Sequence, residues 1–162
     1  MISFELKGAP ELAEAVARMQ ARATLAVSAA MYQEAEGIMT ESKRLVDVDE
    51  GTLRNSGFVN PPDIKADEIE VVMGYGAPHG IWLHEGTGPA VGRPAFMPPV
   101  APFAEWARRV LGDESLGFVI ARAVGRKGLR PRKFLEIPFK ARASTMVPRL
   151  ARRVRGMVER AR

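Results

Sequence analysis

The chain has 162 residues, 46% hydrophobic and 27% charged, enough for a packed core of ordinary polarity. It contains no cysteine and two histidines, His79 and His84, which excludes disulfide scaffolds, Cys-based zinc sites and thiol chemistry. The net charge of +5 is segregated: residues 1–121 carry 10 Lys/Arg against 17 Asp/Glu, and residues 122–162 carry 14 against 2, so a body of −7 precedes a tail of +12. Such asymmetry points to a charged partner, either nucleic acid or an acidic surface on another copy.

Residues 2–7 alternate, with Ile2, Phe4 and Leu6 on one side, and predict a short half-buried strand. Glu5 and Lys7 interrupt this stretch, so it does not read as a signal peptide, and no later stretch is apolar enough to span a membrane. From Pro10 to about Lys43, Leu12, Val16, Met19, Ala23, Val27, Ala30 and Ile38 form one apolar stripe, which predicts a long amphipathic helix. Glu34 and Glu41 intrude on that stripe, so the second half is expected to be buried less, or elsewhere; a helix this long either breaks near Gly37 or projects at one end to pack on something else. Residues 46–57 read as an ordered polar turn, with Asp49 or Thr52 as a helix cap, Leu53 facing the core and Gly51 at positive φ.

Phe58-Val59 and Ile64–Met73 read as strands, with Ile69, Val71 and Met73 inward. Ile81–His84 is a short apolar run, either strand or helical turn, and residues 86–99 form a Gly/Pro-rich loop long enough to reach a neighbour. Val100–Leu111 and Ser115–Val124 predict two helices separated by Gly112, with Phe103, Trp106 and Val110 on one face. After a basic turn over Gly125–Arg132, Phe134-Leu135 belongs to the core. Pro138 opens a last helix, whose stripe Met146, Leu150, Val154 and Met157 contains Pro148 and so predicts a kink or break.

Candidate chemistry is sparse. His79, His84 and Glu85 lack metal-helix spacing and a third ligand, and a Glu–His pair for an esterase or metal hydrolase ranks last among the readings. Gly74-Tyr75-Gly76 is not followed by the helix that a dinucleotide fingerprint requires, and Gly88–Arg93 lacks a phosphate-loop ending. No catalytic residue, metal site or cofactor is expected. The basic tail could neutralise phosphates nonspecifically, but no aromatic follows Phe139 to stack on bases, and the tail helix has no Asn or Gln among its arginines.

Three segments in order carry a resemblance: Val48-Asp49-Glu50-Gly51-Thr52-Leu53-Arg54-Asn55-Ser56; Gly74-Tyr75-Gly76 with Ile81-Trp82-Leu83-His84-Glu85-Gly86-Thr87; and Arg130-Pro131-Arg132-Lys133-Phe134-Leu135 with Pro138. Over residues 10–160 the chain resembles the tail-completion, or head–tail neck, proteins of long-tailed bacteriophages of the lambdoid kind. Glu50 stands where that family has Thr, Asp47 stands where Pro is common, and about 88–128 is an insertion relative to short members. The resemblance implies a single α+β domain over 1–162: a long N-terminal helix, a small mostly antiparallel sheet, and a C-terminal helix packed on it. It further implies a virion protein without enzymatic activity, made in the bacterial host cytoplasm, that forms a hexameric ring at the head–tail junction. Its partners would be itself, the connector and the tail-terminator proteins; DNA would pass through the bore without specific binding, and no membrane is involved. The structural residues would be Asp49, Gly51, Leu53, Arg54, Glu85, Gly86, Thr87, Phe134 and Leu135. From the charge split, the expected interface residues are Arg126, Lys127, Arg130, Arg132, Arg149, Arg152, Arg153 and Arg155. The alternative is a basic, nonspecific DNA-binding protein.

Overall fold

A computed structural model of the chain describes residues 9–66 and 68–160. The strand expected over 2–7 lies outside them. Helix α1 (Ala9–Leu45) has Pro10 and Glu11 in its first turn and Lys43 and Arg44 in its last, a polarity that complements the helix dipole. It runs unbroken through Gly37, which is there for packing: a Cβ at that position would lie 2.7 Å from the Arg142 guanidinium.

The stripe on α1 is buried in the reverse of the expected order. Ala26, Ala30, Ala35, Ile38 and Met39 are buried, whereas Leu12 and Met19 are each 67% exposed and Val16 is also exposed. Leu12, Val16 and Met19 are therefore not core residues. Periodicity marks a face, and only tertiary contact decides how much of that face is covered.

The expected strand Ile64–Met73 is divided. Strand β1 (Gly57–Val59) pairs with β4 (Met73–Tyr75), and β2 (Asp63–Ile64) pairs antiparallel with β3 (Ile69–Glu70), in register Asp63↔Glu70 and Ile64↔Ile69. The facing is as expected, with Ile69, Val71 and Met73 half-buried and Glu68 and Glu70 exposed. None of the three reaches full burial, because a two-stranded ribbon has little to cover either face. Two long helices with this small strand region make the fold α+β.

Helix α2 (Thr52–Asn55) is one turn, and α3 (Gly80–Glu85) settles the Ile81–His84 run as helix. The Gly/Pro-rich loop is fixed by a 3-10 turn at Gly88–Val91 and by the amide of Phe96, which donates to the Gly125 carbonyl at 3.1 Å. Helices α4 (Ala101–Leu111) and α5 (Leu116–Lys127) pack closely through Ala107, Gly117 and Ala121; Gly117 leaves no room for a side chain against the Ala104 backbone. Phe103 and Trp106 are half-buried, and Val110 is exposed rather than core. Gly112 ends α4 at φ 76°. Helix α6 (Glu136–Arg160) begins two residues before Pro138 and continues through Pro148, so the expected break does not occur.

Contacts group the chain into two compact units, residues 1–41, 58–74 and 138–162, and residues 42–57 and 75–137. Where the sequence suggested one domain with an insertion at 88–128, that stretch lies wholly within the second unit. The second unit is centred on buried Val46, Leu53 and Phe134, with Tyr75, Ala77, Leu83 and Leu135 packed against them.

Candidate functional site

Apart from Gly74 and Pro138, the three sequence segments singled out above lie in the second unit. Leu53 is presented by α2, whose entry needs Gly51 in the left-handed region at φ 82°, with the Asn55 amide donating to the Gly51 carbonyl at 2.8 Å. Neither Asp49 nor Thr52 caps the turn, since α2 has no side-chain cap. Asp49 instead receives a two-pronged bond from Arg109, at 2.9 Å to Oδ1 and 2.6 Å to Oδ2, while Glu50 Oε1 lies 3.2 Å from Arg109 Nε. That hydrogen-bonded guanidinium holds the Asp49 carboxyl below its usual range. Arg54 is exposed.

Phe134 stands edge-on to two rings, Tyr75 at 5.0 Å and His84 at 4.9 Å between centroids. The Tyr75 hydroxyl is 2.8 Å from Ser42 Oγ, and burial pushes its pKa up. The Glu136 amide donates to His84 Nε2 at 3.4 Å, so Nε2 is the acceptor and Nδ1 carries the proton that faces Glu85 Oε1 at 2.8 Å. Lys133, the one non-glycine residue at positive φ among the described residues, reaches Glu85 at 2.5 Å and Glu136 at 3.2 Å. The Lys133 and His84 bonds hold the Glu85 carboxyl below its ordinary value of 4.5. Thr87 pairs with Leu129 in an isolated bridge, and Gly86 beside it, at φ 76°, would place a Cβ 2.6 Å from the Leu129 carbonyl oxygen. Leu135 is half-buried against the same core. Both His84 nitrogens thus meet groups of the chain, tying α3 to the start of α6.

The tail arginines divide into two sets. In the first unit Glu34, only 2% exposed, accepts from Arg142 at 3.2 Å and Arg149 at 2.5 Å. Arg142 also grips Glu41, and these carboxylates hold it firmly protonated. Arg153 donates to Gln33 at 3.1 Å and lies 4.0 Å from Glu34 Oε2, which is buried without a hydrogen bond. In the second unit Arg132 pairs with Asp47 at 2.8 Å. Arg149, Arg153 and Arg132 are therefore partnered within the chain. Arg126, Lys127, Arg130, Arg152 and Arg155 are exposed and form no ion pair among the described residues.

The sequence reading missed the Glu34 clamp, treating Glu34 as an intruder and passing over Arg142. The signal was a matched spacing: Glu34 and Glu41 are seven apart on one helix, as are Arg142 and Arg149 on another, so each pair shares a helix face. Arg109 carried no such signal, because its partner lies 60 residues away. Among the described residues no group of three or more His, Cys, Asp or Glu could hold a metal, and no helix is long and apolar enough to cross a membrane. No protein-family profile, curated protein or solved structure matches the chain.

Proposed function

We propose that the protein is a structural subunit of a phage virion, a tail-completion or neck protein that forms a ring at the head–tail junction and joins the tail to the connector. One observation carries this reading: residues 48–56, 75–87 and 130–135, from the segments on which the resemblance rests, belong to one compact unit centred on Leu53 and Phe134. Segments this far apart in sequence share a core only when they belong to one folding unit. The polar groups of that body, His84, Glu85 and Lys133, are bonded to one another and to the backbone, which suits a scaffold. Unpaired cations and exposed apolar side chains suit head-to-tail contacts that close a ring. The rival reading, nonspecific DNA binding, has fewer free cations to call on, because three of the eight basic residues expected at an interface, Arg132, Arg149 and Arg153, are held within the chain.

The test is genetic. Interrupting the gene in the phage that encodes the protein should leave full heads and complete tails unjoined, and labelled protein should sit at the junction of normal particles. Infectious particles formed without it, or a monomer that shifts duplex DNA and releases it steeply as salt rises, would overturn the reading.

A further inference from the structure

Helix α1 carries one seam along its length, and α6 covers only part of it. Leu12, Val16, Met19, Ala23, Ala26 and Ala30 follow one another at steps of four and three, and such steps continue to Glu34, Gly37 and Glu41. They make a narrow stripe on one helix face, the spacing that a second helix fills. Within the first unit that helix is α6. Arg142 grips Glu41 and fits against Gly37, Arg149 reaches Glu34, and Met157 lines one hollow with Ala26, so α6 runs antiparallel along the seam. Its last described residue, Arg160, comes level with about Ala23. N-terminal to that level the seam is bare: Leu12 and Met19 are 67% exposed, and Val16 is 44% exposed. This uncovered stretch of α1, from Ala9 to Arg22, is roughly 20 Å long.

Three features of the stretch say what fits it. The first is a hollow of about 590 Å³ at the end of α6, lined by Met19, Ala23, Leu25, Ala26, Met157 and Val158. Two alanines on the seam leave that space, and a large apolar side chain arriving from outside fills it. The second is self-complementarity. When two copies of α1 lie antiparallel, the register that sets Leu12 opposite Ala23 also sets Val16 opposite Met19, because both pairs are centred on the same point of the helix. The third is charge. At 3.6 residues per turn Glu11, Arg18 and Arg22 lie on one edge of the seam, and Ala13 and Gln20 lie on the other. Antiparallel helices present the same edge to each other in reverse, so Glu11 of each copy comes within about 3 Å of axial rise of Arg22 of the other. Arg18 is held by Glu14 of its own helix at 3.3 Å, whereas Glu11 and Arg22 are exposed and form no ion pair among the described residues. A parallel pair would set the charged edge against the uncharged one and gain nothing from it.

We propose that two copies of the protein pair through the N-terminal halves of their α1 helices, antiparallel, with Leu12 of each entering the hollow beside Ala23 of the other and Glu11 of each meeting Arg22. The contact is isologous and closes at two copies, so it is additional to the ring contacts of the neck reading and does not depend on that reading. About three helical turns per copy make a small interface, so the pair should form in the micromolar range, held by apolar burial and aligned by the charges.

Sedimentation of the full chain tests this. At about 100 μM the wild type should run as a dimer. Val16→Asp should run as a monomer with unchanged helix content by circular dichroism, since Val16 is exposed within the chain. In Glu11→Lys the dissociation constant should rise roughly 2- to 30-fold at low ionic strength, and Arg22→Glu added to the same chain should bring it back. The absence of native cysteine permits a readout of direction: chains with Leu12→Cys and chains with Ala23→Cys should cross-link when mixed and oxidised, and neither should cross-link with itself. If Val16→Asp loses helix content, the charge swap and the cross-links decide. A monomeric wild type would overturn the pairing, whether the stripe is then covered by residues 1–8 of its own chain or by a helix of another protein. So would a dimer that survives Val16→Asp, a charge swap no tighter than Glu11→Lys alone, or Leu12→Cys chains that cross-link with themselves, the mark of a parallel pair. Failure of the pair and failure of the neck reading are separable. Wild-type protein that dimerises but is missing from virions removes the neck reading alone, whereas monomeric protein found at the head–tail junction removes the pair alone.

Discussion

Glu34 is the residue on which the first unit most depends electrostatically. A carboxylate this buried is tolerated because two guanidiniums reach it, and each of them is only partly shielded from water. Glu34→Ala should lower stability by about 2–3 kcal/mol, below the ~3–5 kcal/mol of a fully buried pair, because Arg142 keeps Glu41 and Arg149 can turn to solvent. Denaturant unfolding of the single variants and of Glu34→Ala with Arg149→Ala measures this, and the double variant should cost less than the sum. At the other site, Glu85 has its carboxyl lowered by Lys133 first and His84 second. A lowered carboxyl adds stability that is complete above its ordinary value of 4.5 and is lost as pH falls through the lower folded-state value. The thermal midpoint should therefore drop on acidification through that window. In Lys133→Ala the drop should be smaller; an unchanged pH profile in that variant would remove Glu85 from the account.

The two long helices are governed by different rules. Helix α1 survives Gly37 because helix propensity over 37 residues outweighs the ~1 kcal/mol that one glycine costs, and because that glycine admits Arg142 against the helix. Helix α6 survives Pro148 because Arg142 and Arg149, on either side of it, are both anchored on Glu34. The proline still leaves the Ser144 carbonyl without its helical donor. Pro148→Ala should therefore raise stability, by up to ~3 kcal/mol, and a raised thermal midpoint checks it. A lowered midpoint would mean that the proline is needed for the helix to reach Glu34.

At the scale of the whole molecule, much of the charge split is satisfied internally. The acids of α1 meet the arginines of α6, and Asp47 meets Arg132. The net +12 of the tail therefore overstates the positive surface on offer, and neighbouring arginines should behave differently. Arg153→Glu places a carboxylate beside Glu34 and should cost about 1–2 kcal/mol, whereas Arg152→Glu, on an exposed residue without an ion pair, should stay within about 0.5 kcal/mol. Parallel unfolding curves for the two variants decide the matter, and equal losses would mean that the Arg153–Glu34 approach has no energetic consequence.

Read by itself, the sequence determined the long helices, the facing of the strand residues, the positive φ at Gly51, and the burial of Leu53 and Phe134. These are local properties: periodicity, turn chemistry and residue type act within a few positions of the chain. Tertiary structure alone decided that Leu12, Val16 and Met19 stay uncovered within the chain, that Asp49 serves Arg109 rather than a helix end, and that Glu34 is buried rather than marking a less buried half. Each of these depends on a partner 60 to 115 residues away or on whether a face is covered at all. A periodic pattern states which side of a helix is apolar; it contains no term for the element that arrives to cover it, or for the guanidinium that makes burying a carboxylate tolerable.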